Sequence, residues 1–196
     1  MCLALLFGRL NTLKQEHTYM KHIFLSALFF CSGLCYASSS AIFDKLNNAN
    51  EPSPQSILKN IETEYLNTAV IVEFELEFEK GQTTYEVTLF EQKHNRFIEL
   101  LVDVKGKLIE LEYAPPELDE DDEVAAAKLM RKKNYRMYQL VQSLDSTQTQ
   151  YLIEAQLEQD MGVTYMVATF VSLKGRHKKA IDLATGKNLP LLRWGN

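Results

Sequence analysis

The run from residue 70 to residue 79 constrains the fold of this chain more than any other segment, because apolar and acidic residues alternate along it almost without a break. Side chains of a β-strand point to opposite faces in turn, so the two kinds of residue separate onto two faces. The apolar face carries Val70, Val72, Phe74, Leu76 and Phe78, and the acidic face carries Glu73, Glu75, Glu77 and Glu79. The pattern predicts a half-buried strand of an antiparallel sheet with one face in water.

Three more strands are predicted between this run and Pro115-Pro116, which ends the last of them. Gly81 and Gly106 lie in the tight turns between strands, where glycine accepts a positive φ. A helix capped by Ser53 precedes the first strand. Residues 52–114 are therefore predicted to form one helix covering the apolar face of a four-stranded antiparallel meander.

Residues 117–196 repeat this plan, with a helix predicted over residues 124–144 and strands after it. Polar Asn134 interrupts the apolar stripe of that helix. The matching landmarks are Glu73 and Glu77 with Glu154 and Glu158, Gly81 with Gly162, Tyr85-Glu86-Val87 with Tyr165-Met166-Val167, and Asp103 and Gly106 with Asp182 and Gly186. The sequence thus predicts an α+β protein of two tandem repeats, each a helix packed on a three- to four-stranded antiparallel sheet.

These landmarks resemble those of the PepSY family, in which a helix precedes an extended Val/Glu strand, a hairpin and a Tyr-x-Val strand. The structural motif residues are Tyr85, Val87, Asp103 and Gly106 in the first copy and Tyr165, Val167, Asp182 and Gly186 in the second. The resemblance implies an exported bacterial protein that inhibits or regulates a peptidase, and it brings no catalytic residues. Leu189-Pro190 departs from the pattern by cutting the last strand short.

The N-terminus carries the three regions of a secretory signal: a basic start at Met20-Lys21-His22, a mostly apolar run over residues 23–34, and small residues in Cys35-Tyr36-Ala37. The apolar run is short for a bilayer span, although a membrane anchor or a buried helix is an alternative. Residues 1–37 are predicted to be a signal region cleaved after Ala37, with residues 38–51 as a linker or short helix. Translation begins at Met20 or, alternatively, at Met1. The expected location is periplasmic or secreted.

Cleavage there would remove all three cysteines, so the mature chain has no thiol chemistry and no disulfide framework. It would also remove Arg9, Lys14, Lys21 and Glu16, which leaves 18 basic residues against 25 acidic ones and a net charge of −7. Nucleic-acid binding needs a basic footprint and is therefore excluded as the main role.

The candidate partner-binding residues are Glu73, Glu75 and Glu77. Repulsion between carboxylates on one strand face favours a basic partner or a cation, and the alternative is a solvated face that keeps the strand soluble. His94 and His177 lack the spacing of a metal site and are predicted to be exposed turn residues. Asp103 and Asp182 are predicted to cap the turns that follow them.

The basic cluster at residues 128–136 could contact anionic lipid headgroups, and the alternative is the wet face of a helix. A second basic cluster, residues 174–179, is predicted to be a hairpin tip. No motif of a nucleophile, a metal set or a phosphate loop occurs in the sequence, so the chain is predicted to be non-enzymatic and free of cofactors. The expected function is a binding module for a peptidase or an extended peptide in the cell envelope, with no membrane span after cleavage. The alternative is a periplasmic sensor that binds a ligand or a metal in a cleft between the repeats.

Overall fold

The computed structural model describes residues 39–48, 50–79, 82–117, 120–145 and 149–190. The predicted signal region and its cleavage after Ala37 lie outside the described residues. The helices are α1 (Ser39–Leu46), α2 (Pro54–Tyr65), α3 (Asp121–Lys133) and α4 (Met137–Leu144). The strands are β1 (Val70–Glu79), β2 (Gln82–Glu91), β3 (Arg96–Asp103), β4 (Leu108–Ala114), β5 (Tyr151–Asp160), β6 (Val163–Ser172), β7 (Gly175–Asp182) and β8 (Asn188–Leu189).

All eight strands belong to one antiparallel sheet in the order β4-β3-β2-β1-β5-β6-β7-β8. The first strands of the two halves, β1 and β5, pair with each other through Phe74 and Ala155 and their neighbours. The prediction of two repeats, each with its own helix-covered sheet, is therefore wrong. Its physical reason is that separate sheets would leave β1 and β5 as open edges with unpaired backbone groups, and their pairing removes both edges.

The two halves nevertheless share a pairing register. Glu73 lies opposite Thr88 in the first half, and Glu154 lies opposite Thr169 in the second. A register shift precedes both pairs, as is typical of a β-bulge. Residue n of β1 and β2 therefore corresponds in its pairing to residue n + 81 of β5 and β6.

The predicted match of Tyr85 with Tyr165 is wrong by one residue. Tyr85 lies opposite Leu76, and the residue in the same place of the second half is Met166, opposite Leu157. Because a one-residue shift moves a strand side chain to the other face of the sheet, Tyr85 and Tyr165 point in opposite directions.

The apolar face of the sheet and the helices form one core. Side chains of all four helices and of both halves of the sheet belong to a single buried cluster. Tyr85 is 1% exposed there and stacks on Phe74, with 5.2 Å between the ring centroids. Burial of one large apolar side chain stabilises a fold by roughly 1.5–3 kcal/mol, so a core shared by both halves holds them together.

Local sequence signals set the helix boundaries. Ser53 caps α2, since its hydroxyl accepts a hydrogen bond from the backbone N–H of Ser56 at 3.2 Å. Asn134 adopts a left-handed φ of 55° and ends α3, so the single helix predicted over residues 124–144 is two helices. None of the helices in the described ranges combines the length and apolar character needed to cross a membrane.

The two edges of the sheet differ. β8 has two residues and is followed by Pro190, so that edge is short, as the sequence led us to expect. β4 has seven residues, and it is the outermost strand on the other side. The large side chains of Ile109 and Tyr113 in β4 are 55% and 53% exposed. The long, open edge therefore lies in the first half of the sheet.

Candidate functional site

The sheet face opposite the core carries a group of glutamates that the strand register brings together. Glu75 lies directly opposite Glu86 in β2 and directly opposite Glu154 in β5. Glu99 in β3 lies directly opposite Glu112 in β4. We call the group formed by Glu73, Glu75, Glu77, Glu86, Glu99 and Glu154 the acidic face. Three of its members, Glu73, Glu75 and Glu77, are the predicted partner-binding residues, and alternation along β1 places them side by side.

Carboxylates directly opposite each other on neighbouring strands repel, and each such pair costs a few tenths of a kcal/mol to about 1 kcal/mol. The charges also perturb each other's ionisation. Burial, with the charges of Glu75 and Glu86 next in size, raises the pKa of Glu73 to about 7. Burial, with Glu77 and Glu75 next, raises the pKa of Glu86 to about 7 as well. The first half of the acidic face is therefore partly protonated near neutral pH.

The pKa values of Glu75 and Glu99 are raised for the same reasons. Burial first, and Glu154 next, raise the pKa of Glu75, while Lys178 lowers it. Burial first, and Glu112 next, raise the pKa of Glu99. A side-chain hydrogen bond with Glu77 adds a smaller contribution to the raised pKa of Glu86. A cationic partner laid on this face would compensate these charges.

In the second half of the sheet, Glu154 and Glu158 have hydrogen-bond donors from the same half as partners. Glu154 accepts a hydrogen bond from the Thr169 hydroxyl at 2.8 Å, and its carboxylate lies 3.7 Å from the Lys178 ammonium. Glu158 accepts a hydrogen bond of 2.5 Å from the Tyr165 hydroxyl. The two halves therefore differ in chemistry: carboxyls face carboxyls in the first, and carboxyls meet donors in the second.

The remaining motif residues of the first half have structural roles. Val87 is buried in the core beside Tyr85. Asp103 caps its turn, because one carboxylate oxygen accepts hydrogen bonds from the backbone N–H groups of Lys105 and Lys107. Gly106 has a φ of 77°, a conformation that side-chain-bearing residues rarely adopt.

In the second half, Asp182 accepts hydrogen bonds from the backbone of Ala184 and Thr185 and from the Thr185 hydroxyl, which lowers the pKa of Asp182. Gly186 has a φ of 70°. Tyr165 and Val167 lie on the same sheet face as Glu158, away from the core cluster. Asp103 and Asp182 occupy matching register positions, opposite Thr84 and Tyr165.

The two histidines lie in separate halves of the sheet and have partners of their own. His94 lies in the β2–β3 turn, 2.8 Å from the Glu91 carboxylate. His177 is in β7, half-buried, where its ring nitrogen lies 2.7 Å from the Gln150 side-chain oxygen. Within the described ranges no group of three metal-ligating side chains comes together.

The basic clusters are partly engaged in the fold. In the first, Lys133 donates a hydrogen bond to the backbone oxygen of Ala184. In the second, Lys179 donates to the backbone oxygen of Leu144, and its ammonium lies 5.6 Å from the Phe170 ring centroid. These contacts tie helices to the second half of the sheet, so both lysines have structural roles.

A cleft of about 880 Å³ opens beside the first half of the sheet. Asp44 and Lys45 of α1, Glu51, Thr83 of β2 and Asp103 line it. The alternative prediction placed a ligand cleft between the two halves, whereas this cleft lies between α1 and the first half alone.

Sequence reasoning found β1 but missed two features of this region. It did not select Glu86, although alternation along β2 would have placed that residue on the polar face. It did not place Glu154 next to Glu75, because the β1–β5 pairing joins residues far apart in the chain.

No protein-family model matches the sequence, and no curated protein matches it. Among solved structures, the fold is similar to a putative lipoprotein from Clostridium difficile 630, with a TM-score of 0.38 and 16% sequence identity. The match covers 74% of this chain and 95% of that chain. A likeness this distant carries no conclusion about function.

Proposed function

We propose that this protein is an exported, non-catalytic binding protein that engages a peptidase or an extended peptide of the cell envelope through the acidic face. The observation that carries the proposal is the row Glu86–Glu75–Glu154, in which three carboxyls of adjacent strands lie directly opposite one another. Like charges in register destabilise a sheet, and Lys178 offsets this repulsion from the Glu154 end of the row. A basic segment bound across the row would turn the repulsion into attraction.

The charge of the whole chain supports the same partner. The mature chain predicted from the sequence has 25 acidic residues and 18 basic ones, so its field attracts basic molecules. Glu75 and Glu86 at the centre of the acidic face are packed among neighbouring side chains, but enough of each side chain is open to solvent for a partner to reach it. Electrostatic complementarity of this kind speeds association and selects partners more than it adds affinity.

Capture of proteins from envelope extract, followed by peptidase assays on the captured fraction, tests the proposal. The bait is the purified protein beside Glu75→Lys, which reverses a charge in the row. The matched control is Glu64→Lys, the same change at an exposed position of α2. We expect the wild type and the control to retain a common partner that Glu75→Lys loses. Equal capture by all three baits would exclude the acidic face as the binding surface.

A second candidate function follows from the cleft beside α1. Asp44, Glu51 and Asp103 supply carboxylates to it, so a small cationic ligand fits its lining. Thermal stabilisation of the protein by a small organic amine, lost in Asp44→Asn, would support this function. Unchanged melting with such ligands, together with a captured protein partner, would reject it.

A further inference from the structure

The strand β4 forms an open edge of the sheet. β4 pairs with β3 on one side, and none of the described strands pairs with its other side. An exposed edge strand of this length presents backbone donors and acceptors that another extended segment can pair with. The opposite edge differs, because its last strand, β8, has two residues, is followed by Pro190 and pairs only with Ala180 and Ile181 of β7.

The register identifies backbone groups that point outward. Asp103 donates its backbone N–H to the oxygen of Lys107, that is, toward the β4 side of β3. Hydrogen-bonding direction alternates along a strand, so Glu99 also faces β4, and its partner Glu112 faces back toward β3. The next residue, Tyr113, therefore directs its N–H and C=O groups to the open edge.

The side chains of β4 specify what the added strand should carry. Glu112 lies opposite Glu99, so Glu110 and Glu112 are on the same side of the sheet as the acidic face, and both are exposed. Leu111 and Tyr113 lie opposite Leu100 and Ile98 on the core side. A neighbouring strand would meet carboxylates on one face and apolar groups on the other.

We propose that β4 is a docking strand that accepts an extended peptide with alternating basic and apolar residues as a ninth strand of the sheet. The basic residues pair with Glu110 and Glu112, and the apolar residues extend the core side beside Leu111 and Tyr113. This inference rests on the proposed function and gives it a partner chemistry and a contact strand.

A second copy of the chain fits this edge poorly. If two β4 strands paired antiparallel about Leu111, Glu110 of each would lie opposite Glu112 of the other. Like charges directly opposite across a strand pair are destabilising. The charge of β4 therefore favours a basic peptide over self-association.

The test uses a fluorescent seven-residue peptide of alternating lysine and valine, matched in length to β4, with a glutamate–valine peptide as control. Binding to the purified protein is followed by fluorescence anisotropy at low salt. The key pair of variants is Tyr113→Pro and Tyr113→Ala. Both remove the ring and its contact with the Arg96 guanidinium, 3.9 Å from the ring centroid, but proline alone removes the outward N–H.

We expect Tyr113→Pro to bind the lysine–valine peptide about tenfold more weakly than Tyr113→Ala, as the loss of one backbone hydrogen bond implies. Equal binding by the two variants would overturn docking at β4 and leave the acidic face as a binding surface. Failure of the peptide to bind, alongside capture of an envelope partner that Glu75→Lys loses, would overturn this inference alone.

A charge exchange keeps the test decisive if Tyr113→Pro fails to fold. The double variant Glu110→Lys/Glu112→Lys should lose the lysine–valine peptide and gain the glutamate–valine peptide. Binding of the lysine–valine peptide that survives this exchange would contradict the proposal. Concentration-dependent dimerisation of the wild type that the peptide does not reverse would also contradict the proposal. It would indicate that a second copy of the chain occupies the β4 edge.

Discussion

Glu75 of β1 lies directly opposite Glu154 of β5, in the three-pair segment that joins the two halves of the sheet. The backbone pairing that makes one sheet therefore also brings carboxyls of both halves together. Lys178, 3.7 Å from Glu154, offsets part of this charge from the second half. On the other side of Glu75, Glu86 offers no such relief, because it lies directly opposite and is acidic too.

Neutralising Glu75 should stabilise the free protein. Glu75→Gln removes the repulsion with Glu86 and Glu154 and keeps the size of the side chain, so we expect the melting temperature to rise by roughly 2–4 °C. Differential scanning calorimetry at neutral pH measures it, with Glu64→Gln as the control on exposed α2. A melting temperature lower than that of the control would show that repulsion of Glu75 by Glu86 and Glu154 does not destabilise the fold.

The free energy of unfolding should fall as the pH rises through the range in which Glu73 and Glu86 lose their protons. The pKa of Glu73 and of Glu86 is raised to about 7 in the fold from an ordinary value of 4.5, so the folded state holds protons that the unfolded state releases. Their contribution is complete below pH 4.5 and is lost as the pH passes about 7.

Urea unfolding at about pH 5 and about pH 8 measures this dependence, and the free energy of unfolding should be larger at the lower value. The lowered pKa of Glu91 and of Asp182 acts in the opposite direction, but below pH 4.5 and so outside this window. Glu73→Gln should flatten the profile. A free energy of unfolding that is larger at the higher pH than at the lower one would contradict the raised pKa of Glu73 and Glu86.

The one-residue register difference predicts unequal roles for two tyrosines. Tyr85→Ala removes a buried ring and should reduce the free energy of unfolding by about 3–5 kcal/mol. Tyr165→Ala removes a partly exposed ring and its hydrogen bond with Glu158, and should cost about 1–2 kcal/mol. Urea denaturation of both variants measures these changes. Equal losses in the free energy of unfolding would indicate that Tyr85 and Tyr165 occupy equivalent positions.

Glu62 of α2 links the helices of the two halves. Its carboxylate accepts hydrogen bonds from the backbone N–H of Met137 at 2.6 Å and of Tyr138 at 3.2 Å, at the start of α4. Glu62→Ala should cost about 1–2 kcal/mol, as the loss of a helix cap does, and Glu62→Gln should cost less because it keeps one acceptor. If Glu62→Ala unfolded at the same urea concentration as the wild type, the capping role would be wrong.

Local patterns of the sequence were sufficient for the strands and turns of this fold. Alternation along residues 73–77 separates the acidic face from the core, and glycines at 106 and 186 take the positive φ that their turns require. The pairing of β1 with β5 has no comparable local pattern in the sequence. A half-buried strand has the same alternation whether its neighbour is a hairpin partner or a distant strand, so nothing local could distinguish one sheet from two.

The tyrosine mismatch has a similar origin. The pairs Glu73 and Glu154, Glu77 and Glu158, and Gly81 and Gly162 are each 81 residues apart, whereas Tyr85 and Tyr165 are 80 apart. Strand pairing follows the spacing of 81, and Tyr165 then falls on the outer face, where Glu158 accepts its hydrogen bond. Similarity of residue type was therefore a weaker guide than turn spacing, because register fixes the face.

The salt dependence of partner binding tests the central claim most directly. The measurement is the dissociation constant of the captured envelope partner for the wild type, Glu75→Lys and Glu64→Lys, at about 50 mM and about 500 mM salt. A partner bound on the acidic face should bind the wild type and Glu64→Lys alike, bind Glu75→Lys more weakly, and lose most of that difference at high salt, where screening removes it. Equal dissociation constants for the three proteins at both salt concentrations would contradict the account.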